Sequence, residues 1–422
     1  MKRNLLNLLA LLLLINTMNA QTSKKCATMK AYERAIAKDP SIIEKEKALE
    51  LATKNRLNNK TRATVYTIPV VIHIIHNGEA IGSGTNISDA QALSQLDILN
   101  EDFRLMNADS LLPSHPFWGV TADCEIEFCL AQQDEFGNAT TGITRNDGMQ
   151  TSWEMQDIDD IIKPATIWDR HKYLNIWSIN MGGSDSSTLG YATFPSSTTD
   201  TTDGVVIRPQ AFGDIGTAGT GGFTINDLGR TATHEVGHWL NLNHIWGDST
   251  CGDDFVTDTE IAEDNNFGCP SFPHNANSAC GSGSNGEMYM NYMDYVDDAC
   301  MNMFTEGQRD RMQSALTIDR ASLLVSNGCD APTAVSSIKI INDLKLFPNP
   351  SNSLVHISSN SNDITSIEIY TITGVRVFDN FTINKSNKRN IVIDVNNLPS
   401  GNYVLKIKSN QKVSTQKISI LK

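Results

Sequence analysis

The spacing of apolar residues changes several times along this chain, and each change marks an element. Residues 5–15 are a continuous apolar run behind Lys2 and Arg3, followed by small and polar residues to Ala20. The run is too short to span a bilayer, and the pattern is that of a secretory signal, with cleavage expected after Ala20. Residues 21–62 are rich in Lys, Glu, Ala and Asn, with helical character around residues 42–51. Residues 67–75 form an unbroken apolar, β-branched run, which predicts a buried central strand. Ile87, Leu93, Leu96 and Leu99 then take up helical spacing, with Ser88 placed as the cap. Residues 125–131 and 174–180 read as strands, and residues 188–195 as an edge strand. Asn226 or Asp227 is expected to cap the next helix. Residues 305–324 read as a late helix capped by Thr305, with Met312, Leu316 and Leu323 on its apolar stripe. From residue 338 the pattern becomes short alternating strands at 354–357, 366–372, 375–378, 391–395, 403–407 and 417–421. Thr373-Gly374 and the turn at 399–402 separate some of them. The predicted architecture is α+β: a catalytic domain at 63–330 with a twisted sheet and a site helix, then a small all-β sandwich at 338–422.

Composition narrows the class of function. The net charge is -14, so nothing favours binding to nucleic acid. No other stretch is long and apolar enough for stable membrane insertion. Eight cysteines belong to an oxidising compartment, which agrees with export and a secreted, extracellular location. Cys251, Cys269, Cys280 and Cys300 crowd a stretch rich in Gly, Asn, Asp and Ser. Four cysteines allow three pairings, and the residues alone do not choose among them.

The chemistry is concentrated in residues 234–244. His234 and His238 are four apart and share a helical face, so two neutral imidazoles can hold one Zn²⁺. Glu235 is one position round, where it can serve a water rather than the metal. His244 lies six beyond His238, too far round to join from an unbroken helix. The chain must turn, and Asn241 sits where a left-handed residue is needed. Three protein ligands leave one position open, the arrangement of a catalytic zinc.

This motif, with residues 291–295, resembles the metzincin zinc endopeptidases. The matching stretches at 234–248, 253–259, 268–270 and 290–308 resemble the pappalysin family, in its bacterial cytophagalysin branch. Asn241 stands where that family usually has Gly. The resemblance implies that His234, His238 and His244 bind zinc, that Glu235 is the general base, and that Met293 lies in the turn beneath the ligands. It implies that Tyr295 approaches the metal or the reacting carbonyl, and that Gly190 and Tyr191 belong to a rim strand pairing with extended protein or peptide substrates. Asp298 would line the pocket for the residue after the scissile bond and favour Arg or Lys there. Cys26, alone in the pro-segment 21–62, would be a latency cysteine occupying the fourth zinc position, and cleavage between Thr61 and Arg62 would be self-processing. The resemblance favours disulfides Cys251–Cys280 and Cys269–Cys300, and a structural Ca²⁺ with Asp254, Thr257 and Thr259 among its ligands. Of the other cysteines, Cys124 and Cys129 lie an odd number apart on one strand and face opposite sides, so they are not expected to pair with each other. One thiol of Cys124, Cys129 and Cys329 is left over, and the residues do not choose which, with Cys129–Cys329 as a guess.

Phe347-Pro348-Asn349-Pro350, the turn at Gly374 and residues 401–405 resemble the sorting domain of the type IX secretion system, which implies that machinery as a partner. The leading expectation is a secreted zinc endopeptidase made as a latent zymogen. The alternatives are a catalytically silent extracellular binding or adhesion protein on the same scaffold, and a protein acting mainly through its β-module.

Overall fold

In a computed structural model, the structure describes residues 25–57, 65–332, 339–341, 343–360, 363–377, 389–409 and 412–422. The expected signal at 1–20 and the Thr61-Arg62 junction lie outside these residues. No helix among the described residues is long and apolar enough to cross a membrane.

The first part has two helices, α1 (Thr28–Lys38) and α2 (Ile42–Leu57). Sequence periodicity marked only the second. The main sheet is built on β1 (Tyr66–His76). Helix α3 (Asp89–Phe103) follows, capped by Ser88, whose side chain accepts from Gln91 N–H. Then come β2 (Ile126–Leu130), β3 (Ile143–Asp147), β4 (Leu174–Ser178), β5 (Gly190–Ala192) and β6 (Val205–Ile207). β1 pairs in parallel with β2 and β3 along one edge and with β4 along the other. β6 continues the parallel order, and β5 closes it as a short antiparallel edge strand. Helix α4 (Arg230–Trp239) carries the histidine motif, and α5 (Glu306–Ile318) follows a long irregular loop.

Alternation along β1 explains the layering. Ile68, Val70, Ile72 and Ile74 enter the main core with Leu96, Leu99 and Phe103 of α3 and Val236 and Trp239 of α4. Ile75 faces the other side, against Trp177, Ile158 and Ile162. The helix with the site is therefore pressed onto a rigid sheet, and β5 runs beside it.

Two expectations need correction. Helix α4 is not capped by Asn226 or Asp227: its cap is Gly229 at φ 69°, with no side-chain cap. The late helix ends at Ile318, and Leu323 lies in a separate turn, Ala321–Val325. The cause is Arg320, which turns inward to stack on Trp239 at 3.8 Å and to donate to the Trp239 carbonyl and to Asp203. At the start of α5, Thr305 and Gln308 form a capping box.

Disulfides join Cys129 to Cys329, Cys251 to Cys280 and Cys269 to Cys300. Cys124 is a buried free thiol, its pKa pushed up by burial. The C-terminal residues form a small β-unit. Lys345–Phe347, Leu354–Ser358 and Asn390–Asp394 make one antiparallel sheet. Ser366–Thr371, Gly401–Ser409 and Lys412–Ile420 make the core of another. Val355, Ile357, Ile391 and Ile393 meet Ile369, Leu405, Ile407 and Ile418 between them.

Asp203 is a keystone of the first domain. Its buried carboxylate accepts from the Trp239 indole (3.0 Å), Arg320 (2.7 Å) and Arg170 (3.1 Å). Burial alone would raise its pKa, but the two guanidiniums together hold it below the usual carboxylate range. Asp203→Ala should cost about 3–5 kcal/mol in urea unfolding, because it strands two cations and an indole N–H. A carboxyl held low contributes stability above its unfolded pKa. That contribution should fade in the wild type as pH falls below about 4, and the fade should be absent from the variant.

Candidate metal centre and active site

Helix α4 places His234, Glu235 and His238 on the side facing β5. The helix then ends as required for the third histidine: Asn241 adopts φ 75°, and the Leu242 amide donates back to the Gly237 carbonyl. Arg311 holds this turn by donating to the Asn241 carbonyl at 2.6 Å. His244 thereby returns to the helix. Its Nε2 and that of His234 each lie 3.1 Å from Nε2 of His238.

The other nitrogen of each ring is tied down. His234 Nδ1 meets the Tyr292 carbonyl at 2.7 Å, His238 Nδ1 the Leu242 carbonyl at 2.7 Å, and His244 Nδ1 the Asp248 carboxylate at 2.6 Å. Carbonyl and carboxylate oxygens only accept, so each Nδ1 is the protonated donor and each Nε2 carries a lone pair toward the common point. Burial lowers the His234 pKa to about 3 and that of His238 well below its ordinary value, which keeps both rings neutral. Trp246 stacks on His244 at 4.3 Å and fixes its plane.

Cys26 completes the cluster. Its Sγ and the three histidine nitrogens all lie within 4.8 Å of one another, the one such group among the described residues. Three imidazoles and a thiol sulfur are a tetrahedral zinc donor set, so the residues fit the metal. Burial and the nearby Glu235 push the Cys26 thiol well up, so a cation is needed to make it a thiolate.

Glu235 is fully buried. Its Oε2 accepts from Thr28 (2.8 Å) and from the Cys26 thiol (3.5 Å), whereas Oε1 has no partner. Burial raises its pKa to about 8. β5 passes so close that a Cβ on Gly190 would lie 2.9 Å from Glu235 Cγ and 2.9 Å from the Val206 carbonyl, so only Gly fits there. Likewise a Cβ on Gly237 would lie 2.6 Å from Met293 Sδ, which places Met293 directly beneath the helix. Tyr295 packs half-buried against the rings of His234 and His244, and burial, with Cys26 and Glu235 close by, pushes its phenol pKa well up.

The N-terminal segment lies along the free edge of β5. The Leu189 amide donates to the Lys25 carbonyl, and the Ala27 amide donates to the Gly190 carbonyl. Lys25 enters a small cavity shared with Tyr295, Asp298 and Glu235. Its Nζ donates to the Val296 carbonyl at 3.1 Å and approaches Asp297 at 3.5 Å. Asp298 is also the missing cap of α4: it accepts from the amides of Leu228 (3.1 Å) and Arg230 (3.2 Å). Burial raises its pKa to about 6.

Asp254 and Thr259 sit together in the long loop, with Thr259 Oγ1 donating to the carboxylate at 3.0 Å. Asp254 is buried, its pKa raised by burial to about 7, and Thr257 is exposed. Four residues of the site had been given no role from sequence: Asp248, Lys25, Thr28 and Asp102. Asp248 stands four after His244, a spacing that marks a carboxylate partner for an imidazole. Asp102 accepts from Tyr292 (2.9 Å) and Thr233 (2.6 Å), joining the turn at Met293 to the site helix. Nothing in the local sequence signals that contact.

Residues 156–317 match the family profile described as pregnancy-associated plasma protein-A, peptidase family M43, and residues 345–421 match a secretion-system C-terminal sorting domain. An extracellular metalloprotease of Colletotrichum graminicola is 31% identical over 271 residues, which span 63% of this chain and 81% of that protein. One from Pyricularia oryzae is 30% identical over 299 residues, 68% of this chain and 90% of that protein. Tannerella forsythia mature mirolysin with a cleaved peptide is 42% identical, covering 65% of this chain and all of that one, with a TM-score of 0.57. A mutant of promirolysin from the same organism is 39% identical, covering 72% and 97%, with a TM-score of 0.62. The chain belongs to the pappalysin (M43) family of metzincin metalloproteases, as an extracellular, mirolysin-like member ending in a secretion sorting domain.

Proposed function

We propose that this chain is the latent precursor of an endopeptidase whose zinc is held by His234, His238 and His244, with Glu235 as the general base. The observation that carries this reading is the convergence of three lone-pair Nε2 atoms beside a buried carboxylate whose Oε1 has no partner. Zinc bound there supplies Lewis acidity, polarising a carbonyl and acidifying a water. Glu235 takes the proton from the attacking water and passes it to the leaving amine. Tyr295 donates to the developing oxyanion, Met293 floors the site, and Gly190 and Tyr191 offer backbone groups to an extended substrate by strand addition. An intact, uncompromised Glu235 weighs against a silent adhesin.

Latency is assigned to residues 21–62. Cys26 takes the fourth position, Thr28 ties Glu235, and Lys25–Ala27 fill the edge of β5. Lys25 beside Asp297 and Asp298 supports a pocket that prefers Arg or Lys just after the scissile bond, and with it cleavage before Arg62. For Ca²⁺, Asp254, Thr257 and Thr259 are assigned as loop ligands, to be joined by carbonyls and water. The support is the burial of the Asp254 carboxylate in that loop. The type IX secretion machinery is assigned as the partner of residues 338–422.

The processed protein should cleave casein, and a zinc chelator should abolish cleavage. Glu235→Ala should retain zinc and lose activity by roughly 10²–10⁴-fold. Activity surviving both treatments would overturn the assignment. Asp248→Ala should weaken zinc binding by roughly 10–100-fold in competition with a chromophoric chelator, because it frees the His244 tautomer. The Cys26→Ala precursor should be active before any cleavage; full latency in it would remove the thiol from the account.

A further inference from the structure

Helix α1 meets the catalytic domain through a small apolar contact and a row of charges. Thr28 is its one buried residue, Ala31 packs against the core cluster around Trp177, and the Tyr32 ring meets Phe194 at 5.5 Å. Lys30, Arg34 and Lys38 recur at every fourth position and form one stripe. Each meets a carboxylate of the domain: Lys30 pairs with Asp185, Arg34 lies 3.7 Å from Asp159, and Lys38 lies 2.9 Å from Asp160. In this acidic ledge, Asp159 and Asp160 line a cavity of about 380 Å³ that α1 and α2 cover without filling, and Asp185 lies outside it, buried beside Lys30, with its second oxygen accepting from the Met155 amide.

The ledge is continuous with the cleft. The Tyr191 hydroxyl of β5 donates to Asp159 at 2.9 Å, and the same carboxylate takes the buried Lys163 at 2.9 Å. Asp159 is thus neutralised within the domain, whereas Asp160 and Asp185 have only α1 cations as ionic partners among the described contacts. The ledge also lies on a definite side. Lys25 and the Asp298 pocket adjoin Leu189, at the start of β5, and α1 leaves from the other end, where Thr28 accepts from the Ala192 amide.

We propose that Asp160 and Asp185, freed when α1 departs, form a docking surface for basic residues of protein substrates, several positions N-terminal to the scissile bond. This rests on the proteolytic reading above, in which the Asp298 pocket takes the residue just after that bond. The chain's own processing segment has the required chemistry: Lys54, Arg56 and Lys60 all precede Thr61-Arg62. Exposed ion pairs are individually weak, so the surface tunes KM and not the chemical step.

The test uses the processed protein and two peptides spanning residues 54–66, one native and one carrying Lys54→Gln, Arg56→Gln and Lys60→Gln. The native peptide should show a KM roughly threefold to tenfold lower, with equal kcat. The gap should close in about 0.5 M salt and shrink in Asp160→Asn and in Asp185→Asn. Equal KM values, or a gap indifferent to salt and to both variants, overturn the docking surface while leaving proteolysis intact. Fluorescence anisotropy of the same labelled peptides on Glu235→Ala reads binding without turnover. A difference there with no cleavage by the wild type would uphold the ledge and sink the proteolytic reading.

Discussion

Everything in the catalytic domain answers to one constraint: three imidazole nitrogens must converge with their lone pairs outward, those of His234 and His244 each 3.1 Å from that of His238, in a dry site. Neutral imidazoles at this separation gain nothing from one another. The arrangement persists because each opposite nitrogen donates to an oxygen on a different element: the turn at Tyr292, the end of α4 at Leu242, and Asp248 beyond the motif. Those oxygens are themselves fixed. Asp102 holds Tyr292, Arg311 holds the Asn241 turn, and Met293 fills the one space that Gly237 leaves. Dryness comes from the sheet beneath, where β1 alternation delivers four apolar residues to the same core as α4.

Much of this could be read in the sequence, because the requirement is local. The four-residue spacing of His234 and His238, and the need for a left-handed residue before His244, follow from helix geometry, and Asn241 meets that need at φ 75°. The strand at β1 and the cap at Ser88 follow from pattern and side-chain chemistry. What was not legible is tertiary. Arg320 stops α5 early because a guanidinium finds Trp239 and Asp203 across the fold, against the helical spacing of Leu323. The α4 cap comes from Asp298, nearly seventy residues away, and not from its neighbours at 226–227. Helix α1 went unread because the stripe it turns to the domain is cationic, Lys30, Arg34 and Lys38, and its partners are carboxylates far along the chain.

In the proposed reading, the N-terminal segment turns a catalytic geometry into a regulated one. A chain that reaches the metal position through Cys26, the base through Thr28, the substrate edge through Lys25–Ala27 and the outer surface through α1 occupies each part of the site with one continuous peptide. Apart from the thiolate that Cys26 would give the metal, these contacts are hydrogen bonds and ion pairs of modest strength, and Lys38–Asp160 is exposed and worth little. Their common covalent connection makes them act together, so that a single cut, as proposed, would release them together.

The central claim is that one metal is held by the three histidines and shared with Cys26 only before processing. X-ray absorption at the zinc edge, on the intact and the processed protein, tests it most directly. The account predicts one zinc in each, with a sulfur neighbour at about 2.3 Å in the intact chain that disappears on processing, leaving nitrogen and oxygen at about 2.0–2.1 Å. A sulfur-free first shell in the intact chain, or a sulfur that survives removal of residues 21–62, would contradict it.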